Sequence, residues 1–294
     1  MLNYYDTVKT QPEIFKQLCC KDLLFVNYNC PLETNKQDKW SHLNYILYVV
    51  TGKYVMRAEK TNQIAGRSVT LNPGDAVFVK KGACVIEKFF DETLCLLAFF
   101  IPDQYLCSFL NENAGLIQKR QLPDLPDDLI IPLDANEIMA RYYESLLPHF
   151  DSEIKPPEDL LELKFRELLF NIISNPANSI LNGYLQTLLQ PHGDSLYKIV
   201  EANCLYNLKL EAYAKLCNRS LSSFKRHFYK IYGAAPATWL LNKRLQYAMH
   251  LLLNSDKPIN DISFDSGFEN STHFARVFKK QYGSAPLRYR LQTR

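Results

Sequence analysis

Two arginines, Arg226 and Arg276, stand 50 residues apart in closely similar surroundings, and each follows a hydroxyl by four residues, Ser222 in one case and Thr272 in the other. Projected on a helix at about 100° per residue, Ser222, Arg226 and Tyr229 share one face, opposite Phe224 and Phe228; Thr272, Arg276 and Lys279 take the same angles. Such a face does no covalent chemistry. A guanidinium offers two parallel N–H donors that match guanine O6 and N7 in the major groove, and a hydroxyl bonds base edges or phosphate oxygens. Ser223 and Ser271 join the residues expected at bases. Lys225, Lys230, Lys279 and Lys280 flank the face and are expected at phosphates.

The elements that must position these residues follow from a repeat. Aligning 220–240 with 270–290 gives eight identities in 21 positions, Phe224, Arg226, Phe228, Lys230, Tyr232, Gly233, Ala235 and Pro236 recurring 50 residues later, which marks an internal duplication. The apolar spacing of each copy predicts a helix that stops at Gly233 or Gly283, where left-handed backbone is cheap, with a new helix starting at Pro236 or Pro286. Upstream, Leu210, Tyr213, Ala214 and Cys217 match Ile259, Ile262, Ser263 and Ser266 at an offset of 49. The change of offset places one extra residue, Phe268, in the second turn and sets Asn218 against Gly267, two residue types that tolerate positive φ, at the corner between helices. Short helix, corner and second helix form a helix-turn-helix, here twice. Between the copies, 236–253 has no internal Gly or Pro and carries a helical stripe; as a rod of about 27 Å it can hold two recognition helices about one DNA turn, roughly 34 Å, apart.

Charge agrees with this division. Residues 193–294 hold 16 Lys and Arg against 7 Asp and Glu, a balance of +9, whereas 1–192 hold 18 against 24, a balance of −6. The basic part suits a polyanion, nucleic acid first, with an acidic protein or lipid surface as other partners of the same charge. The 47% hydrophobic and 22% charged content excludes a disordered or fibrous chain, and 294 residues fit two domains, split at the linker-like Gln190-Pro191-His192-Gly193-Asp194. Apolar runs such as 94–101 are too short for a membrane helix and the start of the chain has no signal pattern, so no membrane association and a cytoplasmic location are expected.

The stretch from Leu210 to Arg290 closely resembles the DNA-binding domain of AraC/XylS-family transcription regulators. It includes Phe224-Lys225-Arg226-His227-Phe228, Arg244-Leu245-Gln246-Tyr247-Ala248, Ser266-Gly267-Phe268, Phe274-Ala275-Arg276-Val277-Phe278-Lys279-Lys280 and Tyr282-Gly283-Ser284-Ala285-Pro286. The resemblance implies a bacterial transcription factor, usually an activator that contacts RNA polymerase, with bases read at Ser222, Arg226, Thr272 and Arg276. The chain departs from the family at Ser263, where Ala is more usual.

Residues 23–101 read as strands broken by turns: 44–50 and 54–58 about Thr51-Gly52-Lys53, then 76–79 after Asn72-Pro73-Gly74-Asp75. These turns resemble the cupin-like N-terminal domains of the same family, especially those whose partner is another protein. The expected fold is therefore α+β: a cupin-like β-barrel domain over 1–190, with helices from about 136, followed by an all-α double helix-turn-helix domain over 193–294. Glu158–Ser174 reads as an amphipathic helix with Leu161, Phe165, Leu168, Leu169 and Ile172 on one stripe; the family resemblance implies that it mediates homodimerisation, and packing on its own barrel is the other reading. Only His42 falls in the barrel region, so a metal-dependent cupin enzyme is not expected, no cofactor motif stands out, and no catalytic triad, carboxylate pair or phosphate loop appears. Eight sparse cysteines read as free thiols, with adjacent Cys19-Cys20 the one pair that could be redox-active. Phe89-Phe90 and Phe99-Phe100 read as core. The N-terminal domain is then a sensor for a small effector or a protein. Two other classes remain at this point: a protein-interaction module with a basic face, and a non-metal cupin enzyme.

Overall fold

The computed structural model describes residues 2–30, 36–58, 67–89, 93–116, 129–189 and 196–293. The expected linker at Gln190–Asp194 lies outside the described residues, as do the side chains of Phe89 and Phe90. The chain divides into two compact units.

The first unit opens with β1 (Leu2–Asn3) and α1 (Tyr4–Thr10), followed by β2 (Phe15–Cys20), β3 (Leu23–Cys30), β4 (Lys36–Ser41), β5 (Asn44–Thr51), β6 (Lys53–Ala58), β7 (Arg67–Leu71), β8 (Ala76–Val79), β9 (Gly82–Phe89) and β10 (Leu94–Ile101). After these come α2 (Asp103–Glu112), β11 (Ile130–Leu133), α3 (Glu137–Asp151), α4 (Glu158–Ser174) and α5 (Ser179–Leu188). They form a five-stranded sheet, β1-β4-β9-β6-β7, and a six-stranded sheet, β11-β8-β5-β10-β3-β2. The near-continuous apolar runs of β5 and β10 are buried because the larger sheet is covered on both faces. Alternation sends Leu47, Val49, Leu96 and Phe100 into one core with Tyr54 and Met56 of the other sheet. Ile46, Tyr48, Leu97 and Phe99 go into a second core with the helices. Gly52 (φ 80°) and Gly74 (φ 91°) turn the chain where the sequence places turns.

Three elements depart from the sequence reading. Strands begin before residue 23, helices begin well before 136 with α1 and α2, and β11 adds an edge strand after them. The reasons are physical. At seven residues α1 is too short for periodicity to stand out. Pro132 makes Ile130–Leu133 look broken, yet among the described residues this strand pairs with β8 alone, at the edge of its sheet, and an edge strand tolerates proline.

The second unit is all-helical: α6 (Leu196–Asn203), α7 (Leu210–Leu216), α8 (Leu221–Tyr232), α9 (Pro236–Asn254), α10 (Ile259–Asp265), α11 (Ser271–Tyr282) and α12 (Pro286–Thr293). The 19-residue α9 joins the two copies. Its Leu245, Ala248 and Leu252 form the core of the second copy with Ile262, Phe268, Phe274 and Phe278.

Candidate nucleic-acid interface

The duplication is visible bond for bond. At the first corner the backbone N–H groups of Cys217, Asn218 and Arg219 donate to the carbonyls of Tyr213, Lys215 and Ala214 at 3.0, 2.9 and 2.9 Å. At the second, Ser266, Gly267 and Phe268 donate to Ile262, Phe264 and Ser263 at 3.0, 2.9 and 3.0 Å. Asn218 (φ 52°) and Gly267 (φ 79°) carry the positive φ that lets each corner close. The recognition helices start alike too. Ser220 accepts from the backbone N–H of Ser223 at 3.3 Å, and Asn270 accepts from those of Thr272 and His273 at 2.7 and 3.2 Å. Each ends at a left-handed glycine, Gly233 or Gly283.

Each recognition helix is held by a matching aromatic cluster. Phe228 lies 4.4 Å from Tyr232 and 5.6 Å from Trp239, ring centre to ring centre; Phe278 lies 4.6 Å from Tyr282 and 5.5 Å from Tyr289. Phe224, Phe228, Phe274 and Phe278 have no exposed surface. With that side fixed inward, α8 and α11 turn the opposite side outward. Ser222, Arg226, Thr272 and Arg276 are exposed, as are Lys225, Lys230, Lys279 and Lys280, while Ser223 and Ser271, in the first turn of each helix, are half-buried. Neither Arg226 nor Arg276 has a hydrogen bond or ion pair to another described residue, so each guanidinium keeps its donors for an external acceptor. Tyr229, 62% exposed, stands on α8 where α11 carries Lys279.

The stripe expected to bind a second copy is placed differently. Leu161, Phe165, Leu168, Leu169 and Ile172 are buried within the chain's own helix-side core, and the Phe165 ring meets Phe25 of β3 at 5.7 Å. They are not available to a partner. An amphipathic stripe specifies that a face is covered, not by which surface. The outward side of α4 instead shows Leu163 and Glu167.

The remaining candidates for chemistry are also placed. Cys19 is exposed and Cys20 buried, since neighbours on a strand point to opposite faces, so the pair is not arranged for a disulfide. Burial pushes both thiols up, away from reactive thiolates. His42 sits edge-on to Tyr5, with Nδ1 3.2 Å from the Asn3 amide nitrogen. Among the described residues no group of three His, Cys, Asp or Glu side chains could hold a metal ion, and no helix is long and apolar enough to cross a membrane. Phe99 and Phe100 are core residues.

A basic unit built of two corner-linked helix pairs with matching bonds and ring contacts, each turning an arginine and a hydroxyl outward, defines a double helix-turn-helix protein. The matches to protein-family models and to curated relatives agree. Residues 213–292 match the family described as a helix-turn-helix domain, and residues 44–184 match the ExsA N-terminal regulatory domain. The HTH-type transcriptional regulator ExsA of Pseudomonas aeruginosa is 30% identical over 81% of this chain and 85% of its own length. The virulence regulon transcriptional activator VirF of Yersinia enterocolitica is 26% identical over 82% of this chain and 89% of its own. Among solved structures, ToxT from Vibrio cholerae aligns with 92% of this chain and 98% of its own at 15% identity and a TM-score of 0.42. The chain belongs to the AraC/XylS family of helix-turn-helix transcription regulators, with an ExsA-type N-terminal regulatory domain.

Two features of the second unit escaped the sequence reading. Trp239 and Tyr289 occupy equivalent places in the two aromatic clusters but differ in identity, so counting matches passed over them. Arg244, noted only within the family pattern, bonds to backbone carbonyls that carry no side-chain signal.

Proposed function

We propose that this regulator acts as an activator in which one chain reads two adjacent major grooves of a single duplex, α8 entering one and α11 the next. In this reading Ser222, Ser223, Arg226, Ser271, Thr272 and Arg276 meet base edges, and Lys225, Lys230, Lys279 and Lys280 meet phosphates. The observation that carries it is the pair of outward, unpartnered arginines on two helices held by the same caps, corners and aromatic clusters. Activation is suggested by relatives such as VirF, named as a transcriptional activator, and implies contact with RNA polymerase. The proposed setting is the cytoplasm, and the proposed role includes no enzymatic step.

Among the described residues, apolar side chains of both sheets pack together between them, with Tyr4 from α1, whose ring lies 5.5 Å from Tyr45 and 5.3 Å from Phe100. That packing favours control through the surface of the N-terminal unit, by a protein partner, over a small effector held between the sheets. If the chain forms a homodimer, the contact uses surface other than the buried α4 stripe.

Selection of duplexes from a random pool with the full chain tests the reading. The expected result is an enriched site with two conserved blocks about 10–10.5 base pairs apart, centre to centre. Failure of any sequence to enrich above bulk DNA would overturn it.

A further inference from the structure

The end of α6 and the loop that follows it present four successive backbone carbonyls, from Asn203 to Tyr206, and parts of both readers converge on them. Tyr213 of α7 donates its hydroxyl to Asn203 O at 2.7 Å. Arg244, near the middle of α9, donates from Nε to Cys204 O at 3.0 Å and from Nη2 to Tyr206 O at 2.8 Å. The remaining carbonyl, that of Leu205, lies against Gly267, the corner of the second helix-turn-helix. A Cβ built on Gly267 would collide with Leu205 O and come within 3.2 Å of Arg244 Nε. Burial pushes the Tyr213 phenol up, and the neighbouring Arg244 guanidinium partly opposes this, as expected of a cation sharing the same enclosed site.

This arrangement has a mechanical consequence. The two helix-turn-helix motifs pack on different parts of α9: Trp239 meets Phe228 of the first, and Leu245, Ala248 and Leu252 join the core of the second. One shared helix leaves each copy able to rock about its own contact. A contact from the loop beside the first copy to the corner of the second closes the triangle. Backbone carbonyls and a glycine, with no flexible side chain between them, make that contact short and stiff.

We infer that Arg244 is a positioning residue for DNA reading: by clamping the Asn203–Tyr206 loop against Gly267 it fixes the spacing and relative turn of α8 and α11, and thereby the half-site spacing the chain accepts. The inference rests on the two-groove reading proposed above. Arg244 itself need touch neither base nor phosphate.

The test uses the full chain and a duplex that it enriches from a random pool, alongside the same duplex with one or two base pairs inserted between the conserved blocks. One inserted pair turns the second block by about 35° and moves it by about 3.4 Å. The wild-type chain is expected to lose about tenfold or more in affinity per insertion, whereas Arg244→Ala loses less than about threefold. Arg244→Lys, with a compact point charge in place of the planar fork, should fall between. The readout is the ratio between spacings, which a merely reduced folded fraction does not change because it lowers every affinity equally. If Arg244→Ala folds poorly, Arg244→Lys supplies the same ratio. An unchanged ratio in the folded variant, or a wild-type chain indifferent to the insertions, overturns the inference while the enriched site still stands. A pool with no enriched duplex overturns the two-groove reading as well.

Discussion

The two helix-turn-helix copies agree where a helix must be held and differ where a corner must be packed. Phenylalanines, caps and outward arginines recur in register, yet Asn218 stands in one corner and Gly267 in the other. The first corner needs positive φ, which asparagine supplies. The second asks for positive φ and for the absence of a side chain, because Leu205 O occupies the space a Cβ would need. Polarity differs as well. The first copy carries Ala214 and Cys217 where the second carries Ser263 and Ser266, both fully buried with hydroxyl oxygens that have no hydrogen-bond partner among the described residues. Duplicated sequences thus keep the residues that set a helix's orientation and free the residues that meet different neighbours.

The sharpest way to break this comparison is to cut the shared part. Phe228→Ala and Phe278→Ala should each destabilise the second unit by about 3–5 kcal/mol, as measured by denaturant unfolding; a cost in one copy less than half that in the other would show that the two aromatic clusters are not equivalent. The corners come next. Gly267→Ala combines a left-handed alanine, about 1–2 kcal/mol, with the collision at Leu205, for an expected loss above about 2 kcal/mol, while Asn218→Gly, which keeps the positive φ and adds no collision, should cost less than about 1 kcal/mol. Equal effects at both positions would remove the steric half of the argument.

On the reading faces, Arg276→Ala should relax base preference at one position of the enriched site, at a cost of about 1–3 kcal/mol for the preferred base. Lys280→Ala should weaken all sequences alike and reduce the salt dependence by about one ion. If both variants act uniformly on every sequence, the division between base and phosphate contacts fails. The smallest effect concerns the buried hydroxyls: Ser263→Ala should stabilise by about 1 kcal/mol, and the reverse change, Ala214→Ser, should destabilise by a similar amount. A destabilised Ser263→Ala chain would mean that the hydroxyl is engaged.

How much of this was legible in sequence depends on where the information resides. The recognition helices were readable because periodicity, terminal glycines and a second copy all point to the same boundaries, and the shift of offset from 49 to 50 located both corners. The long connecting helix followed from a stretch without Gly or Pro. What escaped detection has a common cause. Leu161, Phe165, Leu168, Leu169 and Ile172 show that a face of α4 is covered, but the identical pattern serves a partner or the chain's own sheet, and here it is the sheet. The hydrogen bonds of Arg244 to Cys204 and Tyr206 run to carbonyls that every residue possesses, so the residues it clamps carry no signal in the sequence. The short α1 and the proline-bearing β11 fell below the length at which a period can be recognised.

The central claim is that one chain places α8 and α11 in consecutive major grooves. Methylation interference at guanine N7 on the enriched duplex tests it most directly, because that atom lies on the major-groove edge that an arginine reads. Two clusters of interfering guanines centred about 10–10.5 base pairs apart are expected, one abolished by Arg226→Ala and the other by Arg276→Ala. A single cluster, or loss of both clusters from either substitution alone, would contradict the account.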